Sequence, residues 1–148
     1  MVAARTRAGR HEGRQEIVAL VCAQAVTAEF AAFRAAASCR GARLEVRLLP
    51  CTSKLEAGDL LAVLDRGADA VLVVGCRQPA CRFQVGSARA ARRVAHAQRM
   101  LEEIGIGGWR LRIELGGKRS EAEVVALVED YAQDIAGQPT NPVRTLER

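Results

Sequence analysis

The segment Val71-Leu72-Val73-Val74-Gly75-Cys76 most constrains what this chain can fold into. Four consecutive apolar residues, three of them β-branched, leave no polar face. They read as a strand buried on both sides, as inside a parallel sheet. Gly75 and Cys76 end it, a short loop with Pro79 leads to Cys81, and Phe83-Gln84-Val85-Gly86 precedes a long helix. A cysteine at the carboxyl end of a buried parallel strand stands at the edge where open α/β sheets place their chemistry.

The flanking sequence supplies the rest of such a sheet. Glu16 to Cys22 reads as a first strand, and Thr27 as the cap of a helix to about Ala37, with Phe30 and Phe33 on one face. In Arg43 to Leu49, Leu44, Val46 and Leu48 alternate with Arg43, Glu45 and Arg47, the pattern of a sheet edge. Thr52 or Ser53 then caps a helix to Arg66 with Leu55, Leu60, Leu61 and Leu64 as its buried stripe, closed by Gly67. After the central strand comes a helix from about Ser87 to Ile104. Arg110 to Leu115 alternates again and predicts the second edge. Ser120 and Glu123 form a capping box for a last helix to about Ile135. The order β-α-β-α-β-α-β-α predicts an α/β fold. It is a single small open parallel sheet of about four strands with helices on both faces, flavodoxin-like or Rossmann-like.

With 148 residues there is material for one domain with a sizeable core. We divide the chain into a basic arm at 1–15 carrying Arg5, Arg7, Arg10 and Arg14, an α/β domain at 16–136, and a loose tail at 137–148 punctuated by Gly137, Pro139 and Pro142. Aromatics are 3%, so the core falls to Leu, Val, Ile and Ala. No apolar run approaches a membrane span, and the N-terminus has no apolar block of a signal peptide. The expected setting is cytoplasmic, where five cysteines are ligands or reactive thiols rather than a disulfide framework. The net charge of +5 comes almost wholly from arginine. With few aromatics to stack bases, it suits an acidic protein partner better than nucleic acid. Arg82, Arg89, Arg92 and Arg93 crowd the start of the third helix and form the candidate docking patch. A solvated helix face is the plainer account of the same charges.

Cys22, Cys51 and Cys76 each close or immediately follow a predicted strand, and Cys81 comes from the loop after the third. Any one of them could be a small core residue. Together, at one edge of a parallel sheet, four thiols match the donor set of an iron–sulfur cluster or a structural zinc. Only Cys76 and Cys81 form a close pair, spaced C-x4-C, which is unlike the paired CxxC of zinc ribbons. Cys39 falls outside the pattern. There is no Ser/His/Asp arrangement, phosphate loop or GxGxxG.

Gly75-Cys76-Arg77-Gln78-Pro79-Ala80-Cys81 resembles the Gly-Cys-x4-Cys segment of the methyl-viologen-reducing hydrogenase delta subunit family. Arg89-Ala90-Ala91-Arg92-Arg93-Val94, Leu101 through Ile106, and Arg110 through Glu114 are similar to its later motifs. Cys51 matches a family cysteine after the second strand, and Cys22 the first cysteine of a strand-one CxxC. The likeness spans roughly Ile17 to Ile135. It implies an electron-transfer subunit that is no enzyme by itself. It would carry a [2Fe–2S] cluster on Cys22, Cys51, Cys76 and Cys81, within a hetero-complex. There it would relay electrons to or from a flavin- and iron–sulfur-containing heterodisulfide-reductase-like subunit. Ala25 stands where the family has the second CxxC cysteine, Ala80 where aspartate is usual, and Arg77 where histidine is frequent. Losing one thiol leaves four, the number a [2Fe–2S] cluster needs. The alternative is a cluster-free member of the same kind of complex, working by thiol–disulfide chemistry or as a structural adaptor.

Overall fold

The computed structural model describes residues 14–77 and 85–146. The basic arm up to residue 13, and the loop carrying Cys81 and Arg82, lie outside the described residues. Strands β1 (Gln15–Cys22), β2 (Ala42–Leu49), β3 (Ala70–Cys76) and β4 (Leu111–Gly116) form one sheet in the order β2-β1-β3-β4. All three pairings are parallel. This is the strand order of flavodoxin-like sheets. The two alternating segments are the edges, and the unbroken apolar run of β3 lies inside, buried at every residue. Inner parallel strands have helices on both faces, so both sets of side chains must be apolar.

Helices α1 (Ala32–Ser38), α2 (Ala57–Asp65), α3 (Gly86–Glu103), α4 (Glu121–Asp134) and α5 (Pro142–Leu146) complete the described elements. On one face, Ile17, Ala19, Val21, Leu72 and Val74 pack with Val124, Val128 and Tyr131 of α4, with Ala36 of α1 at the margin. On the other, Val18, Leu20, Val71 and Val73 pack with Leu60, Val63 and Leu64 of α2 and Val94, Ala97 and Leu101 of α3. Each fully buried Val or Leu contributes about 1.5–3 kcal/mol relative to exposure. Many aliphatic contacts thus replace the aromatics the chain lacks. Tyr131 is the exception, and its hydroxyl donates to Trp109 O at 2.6 Å. Burial pushes that phenol well above its usual range.

Local signals set several helix ends. Ser120 Oγ accepts from Glu123 N, and the Glu123 carboxylate accepts from Ser120 N, the reciprocal box expected from the sequence. Ser120→Ala is therefore expected to destabilise the domain by about 1 kcal/mol, read as a lower urea midpoint at unchanged slope. Gly67 follows α2 with φ +106°, a conformation that favours glycine.

Four expectations need correction. Thr27 caps no helix. Its N–H donates to Arg119 O at 3.0 Å, its carbonyl accepts from Phe30 N, and α1 is only Ala32–Ser38. The bridge from Val26 to Arg119 takes the backbone that a longer helix would have used. Phe30 packs on the core while Phe33 is 75% exposed. The second helix starts later than expected, because Thr52–Lys54 is a separate turn and Glu56 with Asp59 forms the capping box of α2. Its buried stripe contains Val63 rather than Leu61.

Arg110 was expected on an edge strand, yet it is fully buried. Its guanidinium lies 4.2 Å over the Trp109 ring and donates to Asp69 O, Ile106 O and Pro139 O. The segment after Gly137, expected to be loose, is fastened to Asp69. Asn141 N and Arg144 Nη1 both donate to the Asp69 carboxylate, and Asn141 Nδ2 donates to Leu64 O and Ala68 O.

Candidate functional site

The sheet winds outward from β1, to β2 on one side and to β3 and β4 on the other. In this order successive connections diverge at the carboxyl ends of β1 and β3, the topological switch point where open α/β sheets place their ligands. Cys22 is the last residue of β1 and Cys76 the last of β3. Their Sγ atoms are 3.6 Å apart. Strand register brings the two strand ends level: Val21 pairs with Val74 at this edge. After Cys22 the chain turns back through Ala23–Ala25, and Ala25 packs with Cys22 and Cys76 in a small buried cluster of its own. The position at which the family resemblance expects a thiol thus touches the two thiols that are present.

Cys51 follows β2 on the same edge and is buried. Its Sγ accepts from Ser53 N at 3.4 Å and caps the Thr52–Lys54 turn. It does not join the Cys22–Cys76 cluster, and the described residues hold no group of three or more metal-ligating side chains. Gly75 keeps the edge compact: a Cβ there would stand 2.8 Å from Leu115 Cδ2 and 3.4 Å from Thr52 Oγ1. Cys39 lies apart, at the end of α1. Its thiol faces Arg40 O at 3.7 Å, and burial, with Glu129 nearby, raises its pKa.

Of the candidate docking arginines, Arg89 and Arg92 are exposed on α3. Arg93 is engaged internally. Its Nη1 donates to Ser53 O at 2.6 Å and Leu55 O at 2.8 Å, and Nη2 pairs with Glu56 at 3.1 Å. It ties α3 to the turn that carries Cys51.

Sequence reasoning passed over two further groups. Ser87 Oγ, at the head of the buried stripe of α3, and Arg119 Nη1, beyond the end of β4, are buried without a hydrogen-bond partner among the described residues. Gly116-Gly117 just before Arg119 was the available signal, since glycine admits close approach of another group.

The model of one family, methyl-viologen-reducing hydrogenase delta subunit, matches residues 17–137. The chain belongs to the methyl-viologen-reducing hydrogenase delta subunit family. Among curated proteins, this family member is similar to the vhu iron–sulfur subunit of the F420-non-reducing hydrogenase of Methanocaldococcus jannaschii. They are 31% identical over 103 residues, covering 70% of this chain and 77% of the relative. The protein of the same name from Methanococcus maripaludis is 30% identical over 96 residues, covering 65% and 72% respectively. A shorter likeness joins this delta-family chain to one component of the ferredoxin:CoB-CoM heterodisulfide reductase of Methanosarcina mazei. It is 36% identical over 62 residues, 42% of this chain and 8% of that protein. No helix among the described residues is long and apolar enough to cross a membrane.

Proposed function

We propose that the chain is an electron-relay subunit of a hydrogenase-type redox complex, holding a [2Fe–2S] cluster on Cys22, Cys51, Cys76 and Cys81. The observation that carries this reading is the 3.6 Å approach of Cys22 and Cys76 at the carboxyl ends of β1 and β3. The donor chemistry fits: buried thiols on one sheet edge are soft ligands suited to iron and sulfide. The unpartnered Arg119 nitrogen fits as well, because a cluster bound by four thiolates is anionic. Bound there, such a cluster accepts and returns one electron at a time. The residues of the chain do the rest. Cys22 and Cys76 would present their sulfurs from the ends of adjacent strands, and Arg93 holds the Cys51 turn against α3. The apolar strands behind exclude water. Arg89 and Arg92 offer a cationic surface for an acidic partner resembling heterodisulfide reductase, in a cytoplasmic setting that keeps the thiols reduced.

Iron and acid-labile sulfide on anaerobically purified protein, with its visible spectrum, test this. The expected result is equal iron and sulfide and a brown colour bleached by dithionite. Zinc instead, or a colourless protein, sinks it. The thiol contact also suits a cluster-free thiol–disulfide couple, which requires a colourless protein whose Cys22 and Cys76 become unreactive together on oxidation.

A further inference from the structure

Arg119 stands three residues beyond the end of β4. Its backbone belongs to the segment after β1: Arg119 N donates to Ala25 O, and Thr27 N donates to Arg119 O, each at 3.0 Å. Its side chain lies elsewhere. The guanidinium rests against Gly116, where a Cβ would stand 2.9 Å from Cζ and 3.1 Å from Nη1. Gly116 is the ladder partner of Cys76 and accepts from the next residue, Arg77 N, at 2.8 Å.

Strand β3 lies between β1 and β4. With its guanidinium against Gly116, the ladder partner of Cys76, Arg119 stands beside the carboxyl end of β3, where Cys76 sits. At the anchored end, Ala25 packs on Cys22 and Cys76. Nη1 is buried with no hydrogen-bond partner among the described residues. A buried N–H without an acceptor is costly, so one is expected to arrive. A cluster ligated by Cys76, the ladder partner of the Gly116 on which the guanidinium rests, would supply such an acceptor.

We propose that Arg119 is the positioning cation of the thiol site, donating to the anionic sulfur of the cluster that Cys22 and Cys76 help to hold. This rests on the iron–sulfur reading above. Reduction adds one negative charge, so a fixed cation favours the reduced form and raises the potential. Gly116 serves the same end, because any side chain there would push the guanidinium away.

The test is an anaerobic redox titration of the full chain and of R119Q, R119K and G116A, with iron and sulfide measured on each. In R119Q the reduced-to-oxidised ratio at a fixed potential is expected to fall about tenfold, a midpoint about 59 mV lower for a one-electron couple. R119K should shift less, since it keeps the charge and loses only the fork. G116A should shift the same way as R119Q while retaining its arginine. An R119Q midpoint equal to that of the unsubstituted chain overturns the role of Arg119 and leaves the iron–sulfur reading intact. Should R119Q fail to load, an unchanged G116A midpoint overturns it. An unsubstituted chain without iron or sulfide removes the iron–sulfur reading, and the proposal with it.

Discussion

Cys76→Ser and Cys22→Ser are each expected to strip the chain of iron and sulfide, while Cys39→Ser leaves both unchanged. The two thiols face each other at 3.6 Å, whereas Cys39 lies at the end of α1 against Arg40 O. A serine hydroxyl keeps its proton at neutral pH and is a hard donor, so it replaces a thiolate poorly. Changing even an outer-shell partner of a metal typically costs about 10–100-fold in affinity, and losing a ligand should cost at least as much. The serine also buries a hydroxyl in an apolar pocket, at about 1–3 kcal/mol if unpaired. Alanine variants therefore serve as controls for folding. The measurement is iron, sulfide and visible absorption, beside far-ultraviolet circular dichroism. A folded Cys76→Ser protein with full iron and sulfide would remove Cys76 from the ligand set.

Asp69→Ala is expected to cost about 3–5 kcal/mol of stability, the cost of breaking a buried ion pair on one side. Asp69 is wholly buried just before β3. Its carboxylate accepts from Glu16 N and Asn141 N, each at 2.7 Å, and from Arg144 Nη1. Alanine leaves all three donors without an acceptor. Arg144 is partly exposed and can turn to water, so the result should fall toward the lower figure. Asp69→Asn keeps a carbonyl acceptor and should fall between the two proteins. Urea unfolding reads the total, and limited proteolysis reads release of the C-terminal segment. An unchanged urea midpoint would mean that the contacts of Asp69 contribute nothing net.

These residues separate two kinds of information in the chain. The edge character of β2 was legible because Arg43, Glu45 and Arg47 alternate with apolar residues, and a period of two is a property of the strand itself. The capping box of α4 was legible because its partners are three residues apart. Strand-end cysteines were legible as a set, since parallel strands all deliver their carboxyl ends to one side. Which of them meet was not. Cys22 and Cys76 meet where the neighbouring strands β1 and β3 end, while Cys51, one strand further out, caps a local turn instead.

Three of the misreadings share one cause. Thr27 looked like a helix cap until Arg119, more than ninety positions on, took its backbone. Arg110 looked like an exposed edge residue, but its guanidinium found Asp69, Ile106 and Pro139 carbonyls that only the folded chain brings together. The tail looked loose because nothing within it contains Asp69. Periodicity, caps and strand-end chemistry depend on neighbours within a few residues, so the sequence alone determined the four strands, the two edges and the sheet edge that bears the thiols. Partners far apart in the chain depend on strand order and register, so only the tertiary structure decided that Cys22 meets Cys76, that Ala25 touches both, and that Arg119 pairs its backbone with the segment after β1.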